Sequence, residues 1–269
     1  MLSSQKPVAI SIDILRTSIK QKYSANKIFL LNMIADIEQL YNKLDRINFG
    51  VEIFTHREGI PTDEVRALLH LYSSKTMIVE ENIELLYKSN RESIGGKCPY
   101  CGIVEALTID HYLPQELFPE YCIHLSNLIP CCTVCQGKKG IKYIENGLPL
   151  FIHSYNSIIT SNTILECRVI DWKASYYINY GNITSAANRN TIDRQVHLLD
   201  IINRCKLASI DRIDEYRRNI EDRIKKIGLS DTIGFVDKEA KYLERQYGSN
   251  SWTSALMRGI SVHLHGRTQ

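Results

Sequence analysis

Two cysteine pairs, an acid beside a histidine and two adjacent lysines fall within residues 98 to 140. C-P-Y-C-G (98–102) opens the stretch, T-I-D-H (108–111) follows, and N-L-I-P-C-C-T-V-C-Q-G-K-K-G (127–140) closes it. Cys98 with Cys101 and Cys132 with Cys135 are C-x-x-C pairs separated by thirty residues. Two such knuckles bring four thiolates to the ~2.3 Å tetrahedral distance that Zn²⁺ prefers. Buried free thiols are the plainer reading of any one cysteine, but the paired spacing, with Pro99 and Gly102 at the first knuckle, favours metal. Cys131 is the competing neighbour of Cys132, yet its spacing to Cys135 is C-x-x-x-C. A Cys₄ site has no open coordination position, so its zinc is structural. Chemistry must then come from the residues between the knuckles, where Asp110 and His111 form the one adjacent carboxylate and imidazole in the chain.

The elements around this stretch are mostly helical. From Ser24 to Phe49, Ile28, Leu31, Ile34, Ile37, Leu40 and Leu44 recur at three- and four-residue spacing, which predicts an amphipathic helix. Pro61, Thr62 and Asp63 signal the start of a second, running through Val65, Leu68 and Tyr72, and a third covers Ile83, Leu86 and Tyr87. Gly95-Gly96 marks a break. V-E-A-L-T-I-D-H then reads as a short strand, L-P-Q-E-L-F-P-E-Y as a proline-punctuated loop, and Cys132 to Tyr143 as a helix start. β-formers between Phe151 and Tyr180 predict a strand pair or an extended lid, and helical periodicity returns over 191–227, 235–247 and 252–264. The expected fold is α+β and mainly helical: residues 1–92 form a helical region, 93–157 a small metal-stapled module, and 158–269 a mixed strand and helix region packed with the first as one body.

Bulk composition narrows the classes. The chain has 269 residues, 44% hydrophobic and 23% charged, as in an ordinary globular protein. Lys and Arg number 33 against 30 Asp and Glu, so a polyanion site must come from local clustering. No apolar run reaches the ~18 to 20 residues of a membrane helix and no signal peptide is visible, so the expected location is the cytoplasm. Six of the eight cysteines fall within 38 positions, five of them at the two knuckles, which in a reducing compartment points to metal binding. Cys122, Cys167 and Cys205 are isolated and read as packed residues.

Taken in order, C-P-Y-C-G, T-I-D-H-Y-L-P and S-N-L-I-P-C-C-T-V-C-Q-G-K-K-G resemble the HNH endonucleases, whose ββα-metal motif grips one divalent ion. The resemblance covers about Cys98 to Gly140, with weaker likeness in L-Y-S-S-K-T-M (71–77) and F-I-H-S-Y-N (151–156). It implies that His111 is the general base, that Asp110 is a ligand of a catalytic Mg²⁺ or Mn²⁺, and that Asn127 orients His111. Lys138 and Lys139 would meet the phosphodiester backbone. Gln136 departs from the pattern: it stands where the family has His or Asn as the other protein ligand, and its extra methylene implies weaker ion binding. His153 is a further candidate ligand or acid. The implied substrate is DNA, expected as duplex. The implied partner is an ATPase or sensor subunit, as for HNH effectors of bacterial anti-phage defence. A zinc-stapled adaptor with a weakened site is the alternative. Zinc deaminase chemistry needs an H-x-E pattern, and the stretch between the knuckles has none.

In the C-terminal half, I-D-R-I-D-E-Y-R-R-N-I-E-D-R-I-K-K-I (210–227) carries Ile210, Ile213, Ile220, Ile224 and Ile227 at helical spacing. This predicts a packed amphipathic helix with an ion-paired outer face.

Overall fold

In the computed structural model the described residues are 2–3, 5, 9–22, 25–46, 58–156 and 162–268. Four helices lead: α1 (Ser11–Gln21), α2 (Asn26–Arg46), α3 (Thr62–Ser73) and α4 (Met77–Ile94). Ser24 and residues 47–49, the ends of the first predicted helix, lie outside the described residues, as does residue 157 at the end of the predicted module. α1 was not expected. Its inward face includes Ser11 and Ser18, which blur the apolar period, and both hydroxyls are used: Ser11 Oγ accepts from Leu125 N, and Ser18 Oγ pairs with Thr76 Oγ1.

At the end of α4, Gly95 takes a left-handed φ of 62°, and its amide closes on Arg91 O. A side chain there would also meet the Tyr247 ring, with a Cβ only 2.5 Å from its nearest carbon. The strands β1 (Thr108–His111) and β2 (Leu128–Cys131) pair antiparallel, His111 opposite Leu128 and Thr108 opposite Cys131. Helix α5 (Thr133–Lys139) follows at once, then a two-residue strand pair, β3 (Ile144–Glu145) and β4 (Leu148–Pro149). The β-rich stretch forms the hairpin β5 (Leu165–Ile170) and β6 (Lys173–Ile178).

The long helical period of 191–227 is two helices, α6 (Ala186–Leu198) and α7 (Ile201–Ile227). Asp200 separates them at a left-handed φ of 53°. Two more complete the chain, α8 (Leu229–Tyr247) and α9 (Trp252–His265). Of the isoleucine stripe on α7, Ile213 and Ile220 are buried while Ile210 and Ile227 are about half exposed, because the helix outruns the core it covers. No helix among the described residues is long and apolar enough to cross a membrane.

Two hydrophobic cores result. One joins α1 to α4 with the loop residues Leu113, Phe118, Tyr121 and Ile123. The other joins the four paired cysteines to β5, β6 and α6 to α9. β2 contributes to both, Leu128 to the first and Ile129 to the second. α9 lies directly on β5 at Gly259, where a Cβ would stand 2.4 Å from the Cys167 carbonyl oxygen. Gly259→Ala is therefore expected to lower unfolding free energy by about 1 to 3 kcal/mol or more, measured by urea denaturation against Gly234→Ala, where nothing lies within 4 Å.

Candidate functional site

The sulfurs of Cys98, Cys101, Cys132 and Cys135 all lie within 4.8 Å of one another, and all four residues are buried. That spacing fits the edges of a tetrahedron of thiolates around Zn²⁺. The two knuckles are held by local backbone. Gly102 N donates to Cys98 O with Gly102 at a positive φ, and Cys98 N donates to Val104 O. On the second knuckle, Cys132 is the N-cap of α5 and its sulfur accepts from Cys135 N. Cys131 points elsewhere, its sulfur 3.5 Å from Thr108 Oγ1. Cys122 Sγ donates to Leu68 O, and Cys167 and Cys205 are buried free thiols.

Asp110 and His111 end β1, and strand alternation sends them to opposite sides. Asp110 faces the cysteine core, where its carboxylate accepts from Tyr100 Oη at 2.7 Å and pairs with Lys139 Nζ at 3.1 Å. Burial pushes its carboxyl above the ordinary range, with the Lys139 ammonium and the Tyr100 hydroxyl opposing. His111 faces the N-terminal helices. Its Nε2 lies 2.9 Å from Cys122 O, and the Tyr72 ring meets it edge-on at 4.5 Å. A carbonyl only accepts, so Nε2 carries the hydrogen and Nδ1 keeps the lone pair. Burial pushes this imidazole down to about 4, against the pull of the Cys122 carbonyl, and so it is neutral at neutral pH.

Lys139 departs from its expected place on a solvent-facing phosphate surface. It is 1% exposed, donates to His111 O at 2.7 Å and to Asp110, and lies over the Phe151 ring. Lys138, one helical step away, is exposed. The cation nearest to Asp110 is therefore the protein's own ammonium. Removing it strands a buried carboxylate, so Lys139→Met is expected to destabilise by about 3 to 5 kcal/mol. Urea unfolding of Lys139→Met with and without Asp110→Asn reads the pair directly: the double variant should recover most of the loss.

Asn127 does not reach the His111 ring. Its Oδ1 accepts from Leu113 N at 2.7 Å, and its Nδ2 donates to Leu113 O and Tyr121 O. Together with Tyr112 N donating to Asn127 O, these bonds hold the backbone leaving His111. Any orientation of the imidazole by Asn127 runs through that backbone. Gln136 donates from Nε2 to Ile109 O at 2.8 Å, tying α5 to β1 beside Asp110. His153 is fully buried with both nitrogens committed, Nε2 at 2.8 Å from Ser126 O and Nδ1 accepting from Tyr155 N. It pins the segment after β4 and differs from its expected place as ligand or acid.

Four neighbours carried no readable signal. Tyr100 was visible only as the residue between two cysteines. Tyr72 came as a helix-core residue. Lys75, whose ammonium sits 4.0 Å over the Tyr72 ring, and Glu116 in the loop after β1 both act electrostatically on His111, the lysine lowering and the glutamate raising its pKa. The approach of Tyr72 and Lys75 to a histidine more than thirty positions away is a property of the fold.

The fold and site thus define a mainly helical chain that carries a small strand–strand–helix unit closed by a buried Cys₄ group able to hold zinc. Over 182 residues the chain is 25% identical to protein ea31 of Escherichia phage lambda, which covers 65% of this chain and 62% of ea31. Over 58 residues it is 31% identical to Septu protein PtuB of Bacillus thuringiensis, 22% of this chain and 23% of PtuB. The chain spans less than two thirds of the length of either relative. No family model matches, and no solved structure matches.

Proposed function

We propose that this chain is an HNH-type, metal-dependent endonuclease of the ββα-metal kind, which hydrolyses DNA phosphodiester bonds with His111 as general base. The observation that carries the reading is the His111 tautomer. Nε2 is held by the Cys122 carbonyl, so the neutral ring offers Nδ1 to a water, as a general base must. β1, β2 and α5 supply the strand–strand–helix frame, and the Cys₄ group staples it with zinc.

Asp110 and Gln136 are the residues that would hold a catalytic Mg²⁺ or Mn²⁺, which when bound supplies charge for the scissile phosphate and leaving oxygen. The fit is conditional, because Lys139 already neutralises Asp110 and the Gln136 amide nitrogen is turned to Ile109 O. Under this reading the phosphate helps assemble the ion site. Exposed Lys138 and half-buried Lys75 take the role of backbone contacts. The short likeness to Septu protein PtuB supports a module shared among larger assemblies, and a protein partner in an anti-phage defence complex is part of the proposal.

The test is nicking of supercoiled plasmid by protein loaded with zinc and dialysed free of other divalent ions, with Mg²⁺ or Mn²⁺ then titrated in. Ion-dependent nicking supports the reading. A second reading, a zinc-stapled adaptor, is favoured by one observation: the Lys139 ammonium on Asp110. It requires that no divalent ion at any concentration produces nicking, with or without a partner.

A further inference from the structure

Arg204 lies 69 or more residues from every cysteine of the quartet in sequence, yet its guanidinium is on it. Nη1 donates to Cys135 Sγ at 3.4 Å, and Nη2 reaches Cys101 Sγ at 3.7 Å and Cys132 Sγ at 3.8 Å. Three of the four sulfurs therefore face one cation. The side chain is also anchored, since Nη1 donates to Leu199 O at 3.1 Å. It springs from the first turn of α7, where Ile201 and Cys205 on either side are sunk in the core beside the quartet. Other exposed arginines of α7, such as Arg212 and Arg217, pair with carboxylates on their own helix.

We propose that Arg204 is the outer-sphere partner of the Cys₄ metal site, a positioning residue that offsets thiolate charge and couples the C-terminal helices to zinc binding. This rests on the zinc reading of the quartet and is independent of the nuclease reading. Four thiolates around Zn²⁺ carry a net charge of −2 in a buried site, and a guanidinium beside three of them reduces it to −1. Hydrogen bonds to coordinating groups fix their orientation, and losing such a partner commonly weakens metal binding by about 10- to 100-fold. A planar, multi-donor cation suits three sulfurs at once, whereas an ammonium reaches them as a point charge. Because the same residue sits in the first turn of α7, zinc and the docking of α7 stabilise one another, as linkage requires.

Zinc affinity of the full chain is measured by competition with a chromophoric chelator, and thermal midpoints are recorded with zinc bound and removed, for wild type, Arg204→Met and Arg204→Lys. The expected result is a zinc Kd raised about 10- to 100-fold in Arg204→Met, a smaller rise in Arg204→Lys, and a narrower gap between the two midpoints in Arg204→Met. If Arg204→Met does not fold, the intermediate affinity of Arg204→Lys carries the test. An unchanged Kd with an unchanged gap, even if both midpoints fall together, overturns the proposal and leaves the zinc site standing. A wild-type protein that takes up no zinc overturns both.

Discussion

His111→Ala should cut ion-dependent DNA nicking by about 10²- to 10⁴-fold while leaving zinc content unchanged. Size and specificity both follow from where the ring sits. Its removal deletes the Nδ1 lone pair that would take the proton from water, whereas the Cys₄ group lies on the other side of β1. Truncation also leaves the Cys122 carbonyl without its donor and opens space against Tyr72, so some loss of stability accompanies it. His111→Gln separates the two effects, because an amide can still donate to Cys122 O but is no proton acceptor at neutral pH. Equal loss of nicking in the Ala and Gln variants, with folded protein in the Gln case, supports the base assignment. Nicking that survives in both would remove His111 from the reaction.

Stripping zinc is expected to unfold the central and C-terminal core. Apparent binding energies of structural zinc in small domains run to about 10 to 16 kcal/mol, which matches or exceeds the about 5 to 15 kcal/mol that holds a whole domain together. The quartet sits inside the core that also contains Phe151, Leu165, Ile192 and Leu256, so few of those contacts can survive its opening. The thermal midpoint should therefore rise with free zinc concentration, as for any ligand that binds the folded state alone. Cys132→Ser should lose the metal while its hydroxyl keeps the α5 cap, and Cys167→Ser should keep full zinc stoichiometry. A midpoint indifferent to chelation would make the quartet four packed thiols.

Much of this architecture was readable in advance, for reasons that particular residues make plain. The cysteine pairs announce themselves because metal ligands are set by local spacing, and α2, α3 and α4 because apolar side chains repeat every three to four positions. Cys132 over Cys131 followed from the same spacing rule. Lys139 was misplaced because adjacent lysines at a helix end look alike in sequence. Only the 100° turn between them, set by how α5 sits on β1, decides that one meets solvent and the other Asp110. Arg204 and Tyr72 were invisible as site residues, since each arrives from a distant helix. The break at Asp200 gave no warning either, as an aspartate at a left-handed φ replaces the glycine or proline that usually announces one.

One consequence of β1 concerns how damage would distribute. Neighbouring residues on this strand belong to different halves of the molecule: Asp110 leans on Lys139 and on Tyr100, whose carbonyl takes a hydrogen bond from Gln195 of α6, and His111 leans on Cys122 and on Tyr72 of α3. Under the proposed reading, loosening the N-terminal half would slow turnover at saturating metal, and loosening the C-terminal half would raise the metal needed to reach it. A four-residue strand would then serve as the partition between two kinetic phenotypes, so that partner docking on one half could tune rate and docking on the other could tune the ion requirement.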